Sequence, residues 1–268
     1  MNIAFLLVTC CLEQSRTEIL SHVVQNLCEQ NPILKNNLTV FDNASTDTNS
    51  VELLKANFDN VYRADKNVGY WSAIDWWLTT VDHQQKYIYI IESDMIHYDF
   101  DKILACESFL EKHPDVGSVR LHEYSVKNKH LYNKDAPLPE SKRTTWQSHT
   151  NKITGQPIHV IDSENDIYVT NFLTQLPALN RYETMKTVFN KLKTLSEFSE
   201  LDFQRLYHNV YDKIAILDGG IFHCNLSMYE TQTLTGSWSS RTLLEKFGYL
   251  RTRQSTIIPL DKYNVIKI

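Results

Sequence analysis

Two carboxylates one residue apart, Glu92 and Asp94, follow directly on the apolar run Tyr87-Ile88-Tyr89-Ile90-Ile91. A β-branched and aromatic run of that length reads as a strand, so the acids, with Ser93 between them, stand at its carboxyl end. Hard divalent cations such as Mg2+ take oxygen ligands and keep water or phosphate in their shell. One or two acids in such a place are therefore enough to hold a metal-diphosphate. An isolated acid pair in a loop is more often simply solvated, so the reading needs support from elsewhere in the chain.

Two further clusters supply that support. Leu38-Thr39-Val40-Phe41 runs into Asp42-Asn43-Ala44-Ser45-Thr46-Asp47, again a strand that stops in polar residues. Asp42, at the strand tip, can accept from a base N–H, whereas Ser45, Thr46 and Asp47 are suited to capping the next helix. Asn67-Val68-Gly69 forms a turn ahead of a helix, where glycine permits close backbone approach and a helix N-terminus favours negative charge. Asn67 and Gly69 are thus placed for a ribose or a diphosphate.

These clusters are carried by alternating elements. Apolar runs at 3–9, 38–41, 61–63, 87–91 and 117–121 predict strands, and helical periodicity fills 17–29, 50–58, 70–81 and 100–112 between them. Short strands separated by helices imply crossover connections and a mostly parallel sheet flanked by helices, an α/β fold. Ligands of such sheets bind beyond the carboxyl ends of the strands, where all three clusters open. Residues 122–165 lose this periodicity and carry Pro137, Pro139 and Pro157, which reads as a long loop or hairpin excursion. Regularity returns with a strand over 167–173, helices over 181–195 and 200–211, and strands over 214–217 and 221–224.

Composition narrows the function classes. With 268 residues and 42% hydrophobic content the chain can bury a full core, and a net charge of −5 with 22% charged residues gives no basic surface for nucleic acid. Five scattered cysteines, Cys10, Cys11, Cys28, Cys106 and Cys224, lack C-x-x-C spacing, which argues against a disulfide framework and a zinc knuckle and for a reducing, cytoplasmic setting. The apolar start has no Lys or Arg before it and reads as a first strand, not a targeting segment. No apolar stretch nears the roughly 20 residues that span a bilayer, leaving at most peripheral membrane contact. Nothing in the sequence fixes an oligomeric state.

Taken together, Val8-Thr9-Cys10, the segment 41–47, Asn67-Val68-Gly69 and Glu92-Ser93-Asp94 resemble the family 2 glycosyltransferases of the GT-A fold. The likeness covers about the first 120 residues well and 171–225 more loosely. It implies a nucleotide-sugar donor, a saccharide or glycoconjugate acceptor, a divalent cation (Mn2+ or Mg2+) and inversion at the anomeric carbon. On that resemblance Thr9, Asp42 and Asn43 contact the nucleotide, with Asn67, Gly69, Glu92 and Ser93 nearby, and Asp94 binds the metal. Glu92 stands where the family more often has Asp, which points to contact through water or ribose. Ser199-Glu200-Leu201-Asp202 is similar to the family's acidic segment that supplies the catalytic base; Glu200 is the first choice and Asp202 the second, while both acids also suit a helix N-terminus. His223, after Gly219-Gly220-Ile221-Phe222, falls where relatives place a metal-ligating histidine. Trp238 is an acceptor-platform candidate, and Arg241, with Arg251 and Arg253, can close over a diphosphate.

The organisation that follows is a nucleotide-sugar-binding half over 1–121, the excursion over 122–165, an acceptor and catalytic half over 166–230, and a tail or lid over 231–268. Two alternatives stay open. A sugar-phosphate nucleotidyltransferase would carry a Gly-rich basic loop after the first strand, where this chain has Cys10-Cys11-Leu12-Glu13-Gln14-Ser15-Arg16. A nucleotide-sugar-binding protein without turnover would bind but release nothing.

Overall fold

The computed structural model describes residues 2–30, 34–81, 84–123, 160–164, 167–170, 177–223 and 254–268. In chain order the elements are β1 (Ile3–Thr9), α1 (Gln14–Gln30), α2 (Leu34–Asn37), β2 (Leu38–Asp42), α3 (Thr48–Asn57), β3 (Val61–Ala64), α4 (Tyr70–Thr80) and β4 (Tyr87–Glu92). There follow β5 (Met95–His97), α5 (Asp101–Lys112), β6 (Val116–Glu123), β7 (Val160–Glu164), β8 (Ile167–Thr170) and β9 (Ala178–Arg181). The chain continues with α6 (Tyr182–Leu192), α7 (Glu200–His208), β10 (Lys213–His223) and β11 (Val265–Lys267).

Among the described residues, eleven strands join one sheet in the order β11-β3-β2-β1-β4-β9-β6-β10-β8-β7, with β5 paired to β10. The run β3-β2-β1-β4 is parallel, as the alternating sequence requires. β9 then enters antiparallel between β4 and β6, and β6 and β10 are parallel to each other. β1 is buried along its whole length, the signature of a strand covered on both faces.

Side chains alternate faces along a strand, so each strand divides its residues between two cores. Ile3, Phe5 and Leu7 of β1 and Tyr87, Tyr89 and Ile91 of β4 pack with residues of α1, α3 and α5. Ala4, Leu6, Val8, Ile88 and Ile90 pack on the other face with α4, α6 and α7. Trp71, Trp76 and Trp77 belong to this second core, as a helix so rich in large apolar residues demands. Trp71 lies 5.4 Å from Phe198 and 5.1 Å from Phe203 between ring centroids, tying α4 to α7.

Several elements differ from the sequence reading, among them β9, a strand that was not expected. α1 begins at Gln14, three residues before the expected start, with Glu13 O accepting from Arg16 N at 3.0 Å. β5, only three residues long, was not expected at all. The two strands expected over 214–224 are one strand, β10, bent where its register shifts between Leu217 and Gly220. Gly219 and Gly220 adopt φ of 80° and 97°, open to glycine at little cost, and Gly220 N donates to Tyr98 Oη at 2.7 Å. Past this bulge β10 pairs with β5, bringing His223 opposite Met95.

Candidate active site

Register aligns a row of polar residues at the carboxyl edge of the parallel strands. Thr9 is the cross-strand partner of Asp42, and Asp42 of Arg63. Asp42 is fully buried; its Oδ1 accepts from Ser45 N at 3.1 Å and its Oδ2 from Arg63 Nη1 at 2.9 Å. Arg63 Nη2 also donates to Ser45 O at 2.8 Å, so the guanidinium clamps the loop after β2. Thr9 is buried too, its hydroxyl against Cys11 Sγ at 3.6 Å. Thr9 and Asp42 therefore form the floor of this edge, and Arg63, 31% exposed, is the accessible member of the row. The sequence reading passed over Arg63; its place at the end of β3, level with Asp42, was the available signal.

Asparagines join this row to the next loop. Asn43 Oδ1 accepts from Val68 N at 2.8 Å, and Asn43 Nδ2 donates to Asn67 Oδ1 at 3.1 Å. Asn67 Oδ1 also accepts from Gly69 N at 2.9 Å, and Asn67 Nδ2 contacts Cys10 Sγ at 3.3 Å. Gly69 has φ of 83° and open space where a side chain would stand, and it gives α4 no side-chain cap. Cys10 borders the same edge, and burial, with the charges of Asp42 and Cys11, raises its thiol pKa. Asp47 has the capping role expected of it, holding the start of α3 through Asn49 N at 3.0 Å, whereas Ser45, also expected to cap α3, instead ties its loop to the end of β1, its Oγ accepting from Cys11 N at 2.8 Å.

The acids lie beside this row. Continuing the alternation of Ile88 and Ile90, Glu92 falls on the sheet face covered by α4 and α7. Arg120, flanked by Val119 and Leu121 of the opposite core, falls on that same face. Tyr70 begins α4 and Glu200 begins α7. The four groups, with Asp94, act on one another. Burial pushes the Glu92 carboxyl up to about 8, Asp94 and Glu200 add to the rise, and Arg120 opposes it. Burial, then Glu92, Asp94 and Glu200, also hold the Tyr70 phenol well above its usual range, so it stays a donor. Arg16 Nη1 approaches Asp94 Oδ2 at 3.8 Å from the start of α1. Ser93 and Asp94 make the turn between β4 and β5.

Geometry separates the two candidate bases. Asp202 Oδ2 accepts from Ser199 N at 2.8 Å and Ser199 Oγ at 2.7 Å, completing a capping box at the start of α7. Those bonds hold the Asp202 carboxyl below its ordinary pKa. Glu200 instead accepts from Gln204 Nε2 at 3.1 Å and takes part in the electrostatics of Glu92. Asp202 is thus engaged as a cap, and Glu200 is the acid that joins the cluster.

Among the described residues no group of three or more His, Cys, Asp and Glu is gathered as a metal cage. A hard divalent ion does not need one, since it keeps water and substrate phosphate. Asp94 and Glu200 add negative charge around Glu92, and the backbone register sets His223 across from Met95, next to Asp94 in sequence. Trp238, Arg241, Arg251 and Arg253 lie outside the described residues, as does most of the 122–165 excursion. No helix among the described residues is long and apolar enough to cross a membrane.

Solved proteins share this fold. The 1–349 portion of TarS from S. aureus, in complex with UDP-GlcNAc, has a TM-score of 0.51 at 13% identity, covering 89% of this chain and 62% of that one. Glucosyl-3-phosphoglycerate synthase from Mycobacterium tuberculosis, with Mn2+, UDP and glucosyl-3-phosphoglycerate, gives 0.50 at 14%, covering 100% and 87%. A mycobacterial protein gives 0.50 at 15%, covering 92% and 75%. The chain spans 60% to 62% of the length of these S. aureus proteins. No protein-family model and no curated protein matches the sequence. The chain has the GT-A-type fold, an α/β sheet flanked by helices; at such identity the likeness extends to fold alone.

Proposed function

We infer that the protein is an inverting, metal-dependent glycosyltransferase of the family 2 type. It moves a sugar from a nucleoside-diphosphate sugar to an acceptor hydroxyl in the assembly of a polysaccharide or glycoconjugate. One observation carries the reading: Glu92 and Asp94, and Glu200 over a hundred residues later in the sequence, converge beside the Thr9–Asp42–Arg63 row on a GT-A-type sheet. The UDP, UDP-GlcNAc and Mn2+ held by the solved neighbours support the same class of donor and cofactor.

In this reading Arg63, fixed by Asp42, lies beside the base, and Asn43, Asn67 and Gly69 border the ribose and diphosphate. Asp94 is the principal ligand for Mn2+ or Mg2+, with Glu92 acting through water or ribose and His223 as the remaining donor. When bound, the cation neutralises charge on the departing diphosphate. Glu200 takes the proton of the acceptor hydroxyl as its oxygen attacks the anomeric carbon. The bond from that carbon to the diphosphate breaks, its electron pair leaving with the nucleoside diphosphate. Tyr70, kept protonated, borders the same cluster.

Thermal unfolding with UDP-glucose, UDP-GlcNAc and other nucleotide-sugars, with and without Mn2+, tests the class. A specific donor at about a hundred times its Kd stabilises the native state by about 2.7 kcal/mol. Stabilisation followed by release of nucleoside diphosphate is the expected result. Release of pyrophosphate from a sugar phosphate and a nucleoside triphosphate would indicate nucleotidyl transfer, and binding without release a non-catalytic protein.

A further inference from the structure

Residues 254–268 run from one side of the candidate site to the other and touch the carrier of each part. At the start, Ser255 makes an isolated two-bond bridge with Phe198: Phe198 N donates to Ser255 O at 2.9 Å and Ser255 N to Phe198 O at 2.7 Å. Phe198 is 1% exposed and stands two residues before Glu200. In the middle, Ile258 N donates to the buried Ser72 Oγ at 3.0 Å and Tyr263 Oη to Ser72 O at 3.3 Å, in the first turn of α4 behind Tyr70. At the far end, Asn264 O accepts from Asp65 N at 3.0 Å and Asn264 Nδ2 donates to Asp65 Oδ2 at 3.2 Å. β11 then pairs with β3 so that Ile266 lies opposite Arg63.

We propose that this segment is a strut that sets the distance between the base-carrying helix and the nucleotide-binding strand, with Ser255 and Asn264 as its positioning residues. Covering the exposed edge of β3 would need only β11. The Ser255 bridge extends no ladder: it is a single pair of bonds joining the entry of α7 to a chain that is next anchored on α4. Ile257, Ile258, Leu260 and Val265 pack against the core under α4, so the strut is seated on the face that carries the acids. Its three anchors fall at Phe198, Ser72 and Ala64–Asp65, each within two residues of Glu200, Tyr70 or Arg63. Holding an attacking oxygen, a base and a leaving group in line is sensitive to displacement, about 1 Å costing on the order of a hundredfold.

The role rests on the transferase reading above, and the experiment separates the two. The full chain, wild type and Ser255→Pro, is assayed with MnCl2 for UDP release from UDP-glucose and UDP-GlcNAc, alongside thermal unfolding. Proline removes the N–H given to Phe198 O and leaves the donor side intact. A fall in kcat of at least about tenfold, with donor KM within about twofold, is expected. Unchanged kcat in folded Ser255→Pro protein, or a loss matched by the unfolded fraction, overturns the strut. Asn264→Ala, at an exposed position, acts at the other end and is expected to raise donor KM by about threefold, more than it lowers kcat. If Ser255→Pro does not fold, unchanged donor KM in Asn264→Ala overturns the strut. A wild-type protein that neither binds nor turns over any nucleotide-sugar overturns the transferase reading itself, and the positioning role falls with it.

Discussion

Glu92→Gln keeps the shape of a side chain whose charge the fold resists. In the native protein this carboxyl titrates at about 8, against an ordinary value of 4.5, because burial and the nearby Asp94 and Glu200 penalise its ionised form. The native state therefore holds a proton between those values that the unfolded chain gives up. Stability is unaffected below about 4.5 and falls as pH rises toward 8, where the penalty is complete. At about 1.4 kcal/mol for each tenfold change in affinity, the displacement sets a ceiling of about 5 kcal/mol. Glu92 is partly exposed, and solvent screening brings the expectation to about 2–3 kcal/mol. Gln has no proton to lose, so metal-free Glu92→Gln should match the wild type near pH 4.5 and exceed it by that amount at pH 8.5. In a chain this long such a gain raises Tm by about 5–10 °C. Urea unfolding of both proteins across pH 4.5–9 measures it. Parallel stability curves for the two proteins would refute the claim that Glu92 shares a crowded acid cluster.

Removing the cation beside Asp42 has the opposite sign. Arg63→Ala strands a fully buried carboxylate and is expected to cost about 2–3 kcal/mol in urea unfolding, less than the 3–5 typical of buried pairs because Arg63 is partly exposed. The same variant should weaken UDP binding by tenfold or more in calorimetric titration. Asp202→Ala should cost about 1 kcal/mol of stability through loss of the helix cap, while turnover at a temperature where it stays folded remains near wild type. Because its hydrogen bonds hold the Asp202 pKa down, the stability it contributes is present above the unfolded carboxylate pKa and is lost as pH falls through the native one.

Much of the geometry at the carboxyl edge of the parallel strands was legible because it depends on local pattern. β1, β2 and β4 are apolar runs that end in polar residues, a combination that reveals both the strands and the edge at which their polar clusters open. The antiparallel insertions were not legible. β9 is four residues with the buried Asn180 among them, and β5 is three, too short for alternation to register. The bulge in β10 read as a break between two strands because paired glycines usually end one. Glu200 and Asp202 sit on the same first turn, and only capping geometry separates them. Tyr70 and Arg120 escaped notice because their significance lies in which face of the sheet they share with Glu92. A charged residue set between Val119 and Leu121 in a buried strand was the trace that Arg120 left in the sequence.

In the proposed reaction Glu200 and Asp94 serve one transfer step, and UDP release from a nucleotide-sugar with Mn2+ measures it. Glu200→Gln should lower kcat by about a hundred- to ten-thousand-fold with the folded state intact and donor binding preserved, and Asp94→Ala should abolish the Mn2+ dependence. Wild-type turnover by Glu200→Gln, or Mn2+-dependent turnover by Asp94→Ala, would contradict it.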